Sequence, residues 1–80
     1  MMGEVYFSDF GIELLRRNNA LYVRYDVGHF VTQMREDIIS EDEAQQAMES
    51  ESAAYRVLLT IESRLIASGT DPYVSNIQKT

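Results

Sequence analysis

His29 is the only histidine in the chain, and it follows Asp26 in the run Asp26-Val27-Gly28-His29. A histidine beside an aspartate can work as a general base. Catalysis also needs a nucleophile within hydrogen-bond reach and donors for the charge that develops. No serine or threonine stands in a recognisable nucleophile context, and there is no cysteine. A turn-proximal histidine with an acidic neighbour is therefore the expectation. An enzyme or small-ligand binder built on His29 and Asp26 ranks third among three functional readings, and the chain is not expected to be an enzyme.

The second candidate is acidic. Residues 36–51 hold seven carboxylates (Glu36, Asp37, Glu41, Asp42, Glu43, Glu49, Glu51) and no base. A calcium loop needs oxygens at the spacing D-x-[DN]-x-[DN]-G, which is absent, so no metal and no cofactor are expected. The acids have a structural use instead. Ser40 and Glu43 have the S-x-x-E spacing of a capping box, with Ile39 and Ala44 placed as its hydrophobic staple. Glu41, Asp42 and Glu43 then fall in a first helical turn, where the dipole favours negative charge. Their functional reading is an acidic contact surface for a basic partner, since rim charges set encounter rate and partner choice.

The third candidate is basic and aromatic. Four of the seven basic residues (Arg16, Arg17, Arg24, Arg35) lie within 11–36 together with Tyr22 and Tyr25. Whether they share a surface depends on the fold of 8–26. As a helix, 8–19 places three of its four apolar residues in alternation and encloses Gly11, a poor helical pattern. As a hairpin turning at Asn18-Asn19, the stretch is consistent, because asparagine tolerates the positive φ that tight hairpin turns require. Counting outward pairs Arg17 with Ala20, Leu15 with Tyr22, Leu14 with Val23, Glu13 with Arg24 and Ile12 with Tyr25. Ile12, Leu14, Val23 and Tyr25 then share one face.

A second connection at Val27-Gly28 extends the pattern, pairing Tyr25 with Phe30, Val23 with Thr32 and Leu21 with Met34. The expected sheet is a three-stranded antiparallel meander, about 10–17, 20–26 and 29–37. "EVYF" before it either adds a short strand or lies across an edge. The outer face then gathers Arg17, Tyr22, Arg24, Gln33 and Arg35. Tyrosine and arginine are favoured at protein interfaces, so this face suggests a protein partner. Single-stranded nucleic acid is the alternative, because arginines and aromatics also stack on bases. A net charge of −6 weighs against phosphate binding.

Helical spacing continues from Ala44 through Ala47, Ala54, Leu58, Ile61 and Leu65, interrupted by Glu51. That predicts one long helix over about 41–67, bent or broken near Glu51, with Ser50 available to cap a second piece. It covers one face of the sheet, giving an α+β fold in a single domain over 1–69. Residues 70–80 are a tail that packs on the domain or on a second subunit, or frays. Apolar residues surround more of the helix than the sheet can cover, and a small sheet has free edges, so a homodimer is favoured. No apolar run approaches the roughly 18–20 residues that span a bilayer. With no secretory leader pattern, a cytoplasmic location is expected. These features describe a small interaction or regulatory module with an unidentified protein partner.

Overall fold

The structure is a computed structural model that describes residues 3–28 and 30–77. Four strands run β1 (Glu4–Asp9), β2 (Ile12–Arg17), β3 (Ala20–Asp26) and β4 (Met34–Ile39), followed by α1 (Glu41–Ala47) and α2 (Glu51–Ala67). The strands form one antiparallel sheet in chain order. The fold is α+β, as the sequence pattern implies, with a fourth strand added and with the carboxy-terminal helix broken before Glu51, one of the two forms expected there.

The central hairpin has the register obtained by counting from its turn. Asn18 and Asn19 both take positive φ, 52° and 66°, the backbone of a two-residue turn whose twist matches its strands. Ile12 pairs with Tyr25, Glu13 with Arg24, Leu14 with Val23, Leu15 with Tyr22 and Arg17 with Ala20.

The added strand is β1. Phe10 does not begin β2; with Gly11 it forms a second tight turn, at φ 55° and 77°. Phenylalanine rarely occupies this region. Its backbone N–H is held by Asp9 Oδ1 at 2.8 Å, and its ring lies 5.8 Å from that of Phe7. Between Val5 and Phe7 the register slips at a β-bulge.

The last strand corrects the expected register. Leu21 pairs with Ile39, Val23 with Asp37 and Tyr25 with Arg35, so β4 starts at Met34 and is displaced along β3 from the 29–37 expectation. The displacement is an odd number of residues, which exchanges the two faces of the strand. Residues 27–33 are a loop instead. The apolar alternation Phe30, Thr32, Met34 is a false guide, because the inward positions of β4 are Arg35, Asp37 and Ile39, two of them charged.

The core lies between the inner face and the helices. Ile12, Leu14, Leu21, Val23, Tyr25 and Ile39 meet Ala44, Ala47, Ala54, Val57 and Ile61. Leu14 and Val23 are fully buried, and each such side chain contributes roughly 1.5–3 kcal/mol. Small residues on α1 and at the start of α2 let the helices approach closely.

The predicted capping box is present. Ser40 Oγ accepts from the Glu43 N–H at 3.1 Å, while Glu43 Oε1 accepts from the Ser40 N–H at 3.0 Å. The helix breaks before Glu51, and Ser50 caps α2 by accepting from the Ala53 N–H. Gly69, at φ 81°, ends α2. Its left-handed turn lets the Thr70 N–H reach Leu65 O at 2.8 Å, a Schellman closure that glycine favours. Among the described residues no helix is long and apolar enough to cross a membrane.

The tail packs on the domain through the buried Pro72 and a set of polar contacts. Tyr73 and Val74 stay about half exposed. Ser75 Oγ donates to Met34 O at 2.6 Å. The Asn76 side chain accepts from the Glu36 N–H at 2.8 Å and donates to Glu36 O at 2.6 Å. One amide thus completes both backbone groups of an edge residue, as a neighbouring strand would.

Candidate functional site

The face of the sheet turned away from the helices carries Glu13, Leu15 and Arg17 of β2, Tyr22 and Arg24 of β3, and Glu36 and Ile38 of β4. Register brings Val5, Leu15, Tyr22 and Ile38 into one row crossing all four strands, each directly opposite the next. Leu15 is fully buried although no helix lies above it, whereas Val5 and Ile38 are 40% and 60% exposed. This row is an apolar strip outside the core cluster.

A charged network borders the strip. Arg17 Nη2 lies 2.8 Å from Glu36 Oε1, Arg24 Nη2 lies 2.7 Å from Glu36 Oε2, and Arg24 Nη1 lies 3.1 Å from Glu13 Oε1. Ala20, opposite Arg17, leaves room for that arginine to reach over β3. Its guanidinium sits 4.8 Å from the centre of the Tyr22 ring, a cation–π contact. Burial pushes the Glu36 carboxyl up, but hydrogen bonds from Arg17 and Arg24 prevail and hold it below the ordinary glutamate value. The hydrogen bond to Glu36 holds the Arg17 guanidinium above its ordinary value.

Of the five residues expected on this face, Arg17, Tyr22 and Arg24 stand together, and Gln33 and Arg35 do not. Gln33 lies in the loop before β4, where its Oε1 accepts from the Ser75 N–H at 3.2 Å. Arg35 is on the inner face and only 3% exposed. It binds Asp37 through two nitrogens at 3.0 and 2.8 Å and donates to Val74 O at 2.8 Å. Tyr25 adds its hydroxyl to Asp37 at 2.6 Å. Burial, then the bond to Asp37, pushes that hydroxyl well above the usual tyrosine range. Arg35 is a structural cation, and the odd register displacement moved it. Glu36 and Ile38 take its place on the outer face. Neither was foreseen, although the opposite charges of Arg24 and Glu36 offered a signal.

The acidic group divides. Glu43 is occupied by the capping box and by Arg64, 2.7 Å away. Burial raises its carboxyl, yet the Ser40 N–H and Arg64 outweigh that and lower it. Glu41 and Asp42 are left exposed.

His29 lies outside the described residues, so its pairing with Asp26 does too. The Asp26 carboxylate accepts from the N–H groups of Gly28 at 2.8 Å and Gln33 at 2.9 Å, which lowers its pKa. Asp26 closes a loop. A cleft of 280 Å³ opens between β4 and α2, lined by Ile38, Ile39, Ile61 and Leu65, with Ser40, Glu43 and Arg64. Glu43 and Arg64 pair with each other there, and Ser40 Oγ accepts the helix-capping N–H, so the polar groups of the cleft are engaged in holding the fold. Among the described residues no group of three or more His, Cys, Asp or Glu side chains converges as a metal site.

The fold and face together define a small α+β domain with one sheet face uncovered by helix. No family model, curated protein or solved structure matches the chain.

Proposed function

We propose that the chain is a non-enzymatic protein-interaction module that docks its outer sheet face onto a protein partner. The observation that carries this reading is the row Val5–Leu15–Tyr22–Ile38 in continuous register, bordered by the network of Arg17, Glu36, Arg24 and Glu13. An apolar centre with Tyr and Arg and a polar margin is the composition of protein interfaces. The two guanidiniums already hold carboxylates, so a nucleic-acid phosphate would have to displace Glu36 or Glu13. The partner surface that fits is apolar at its centre. Glu41 and Asp42, exposed at the start of α1, are a separate acidic surface that would suit basic groups of a partner.

Capture from a native lysate with immobilised full chain tests the reading. A partner retained in stoichiometric amount by the wild type and lost with Ile38→Asp supports it. Equal recovery by both proteins refutes it. A salt-sensitive shift of labelled single-stranded RNA or DNA, abolished by Arg17→Ala, would move the face to the nucleic-acid reading.

A further inference from the structure

A second apolar surface lies away from the sheet face, at the junction of β3, α2 and the tail. The connection 27–33 is a closed loop with a firm neck. Asp26 Oδ1 accepts two backbone N–H groups across it, and the Val27 N–H reaches Gln33 O at 2.8 Å. Gly28 is required at the bend, since a Cβ there would fall 1.8 Å from Val31 O. Among its described residues two apolar side chains stand in solvent: Phe30 is fully exposed and Val31 is 67% exposed. Few side chains are as unfavourable to leave in water as a phenylalanine.

At the base of the loop is an open cavity of 180 Å³, walled mainly by Tyr25, Val27, Tyr55, Leu58, Leu59 and Tyr73, with the carboxylates of Asp26 and Glu62 also on its lining. Tyr55, Leu59 and Tyr73 on its rim are 61%, 41% and 55% exposed. A cavity of about 150 Å³ with apolar walls accepts a benzene ring. The groove has room for one phenyl side chain against its apolar residues.

We propose that this surface is the contact between two copies of the chain, each placing its Phe30 in the groove of the other. Knob and groove are rooted together, because Val27 both lines the cavity and begins the loop. A two-fold axis between them seats both rings at once, as an isologous contact demands. The neck holds Phe30 clear of its own groove. Charge does not oppose the contact: Asp26 and Glu62 line the groove, while residues 27–33 contain no carboxylate, so the exchanged loop brings no like charge to it. An anionic membrane would meet those two acids unfavourably. This contact lies apart from Ile38 and the outer sheet face, so it stands or falls independently of the proposed docking function.

The test is the mass of the full chain by light scattering and sedimentation, at concentrations up to about 1 mM, the weak end of specific association. The wild type is expected to dimerise. Phe30→Glu and Leu59→Glu, both at exposed positions and both checked for folding by circular dichroism and melting, should each raise the dimer Kd at least about 30-fold, as loss of a hot-spot residue does. Mixing Phe30→Ala with Leu59→Glu should recover part of the association, because one intact knob then meets one intact groove and no two glutamates introduced by substitution face each other. In this cysteine-free chain, Phe30→Cys with Tyr55→Cys should form a disulfide between chains. A wild type that stays monomeric throughout, a dimer unaffected by both glutamate substitutions, or a disulfide confined to one chain would each overturn the proposal.

Discussion

The two edges of the sheet are treated differently. β1 pairs only with β2, and Phe7 alone of its residues is even partly buried. It is blunted by the bulge after Val5 and by the acids Glu4 and Asp9 at its ends, devices that discourage pairing with another strand. β4 is covered. Ser75 and Asn76 take up Met34 O and both backbone groups of Glu36, and Arg64 Nη2 approaches Ile38 O at 3.4 Å. Arg35, inside the sheet, holds the tail through Val74 O. One edge is protected by its own sequence, the other by chain that returns from beyond α2. An edge of the first kind is local and cheap to alter, whereas the second is tied to the core.

The sharpest way to break the covered edge is Asp37→Ala. It leaves the Arg35 guanidinium buried without its carboxylate and removes the acceptor of Tyr25. Loss of one partner of a buried pair costs about 3–5 kcal/mol, measurable as a lower denaturant midpoint at unchanged slope. The paired change Arg35→Met with Asp37→Leu should restore part of that stability, because the buried charge is gone, although the Tyr25 hydroxyl still lacks its acceptor. It should still loosen the tail, which no longer has the guanidinium to bind. Hydrogen exchange at the Glu36 N–H would show the difference, since global stability and edge protection part company only in the double variant.

A smaller break is Asn76→Ala. It removes the two bonds to Glu36 that close the edge, at a net cost of about 1–2 kcal/mol for partly exposed groups. The Glu36 N–H should then exchange much faster while Val23 and Leu14 in the core keep their protection. Equal protection in both proteins would mean that the edge is shielded by something other than the Asn76 amide.

Those contacts explain why one half of the sheet was legible in the sequence and the other was not. Asn18-Asn19, the Ser40–Glu43 box and the Ser50 cap act over two to four residues, and each residue type announces its local geometry. The hairpin register followed from them, and with it the neighbourhood of Arg17, Tyr22 and Arg24. β1 was legible only as one of two alternatives for "EVYF", because its turn places Phe10, an unusual residue at positive φ, before Gly11. β4 was hidden because Arg35 and Asp37 occupy inward positions, so its alternation reads backwards. Their mutual neutralisation, and the carbonyls that return from the tail, are long-range events with no periodicity. The outer face therefore keeps Arg17, Tyr22 and Arg24 of β2 and β3, and loses Gln33, which lies in the loop, and Arg35, which faces inward on β4.

Acid distinguishes the covered side further. The Glu36 carboxyl titrates below its ordinary value because Arg17 and Arg24 outweigh the effect of burial. A carboxyl that holds its proton less tightly when folded contributes its stabilisation in full above the unfolded value, about 4.3. That contribution fades as pH falls through the lowered folded value. Acid unfolding followed by circular dichroism should thus flatten in Glu36→Gln below about pH 4.3, relative to the wild type. Identical pH profiles would show that the two arginines do not bind Glu36 in solution as they do in the structure.

The smallest effect belongs to the exposed edge. Ser8 lies on β1 opposite Glu13, and Ser8→Lys sets a cation across from that carboxylate at a site with no core contact. Stability should change by less than about 0.5 kcal/mol, as at most surface positions. The contrast with Asp37→Ala is the point: both residues lie on strands at a sheet edge, yet only one edge is joined to the core. A lysine on an unpaired strand also discourages strand addition. If Ser8→Lys alters the mass of the wild-type assembly in solution, β1 is a contact between copies. If the mass is unchanged while Phe30→Glu alters it, the bulge and terminal acids of β1 suffice, and association belongs to the loop and groove at the far end of β3.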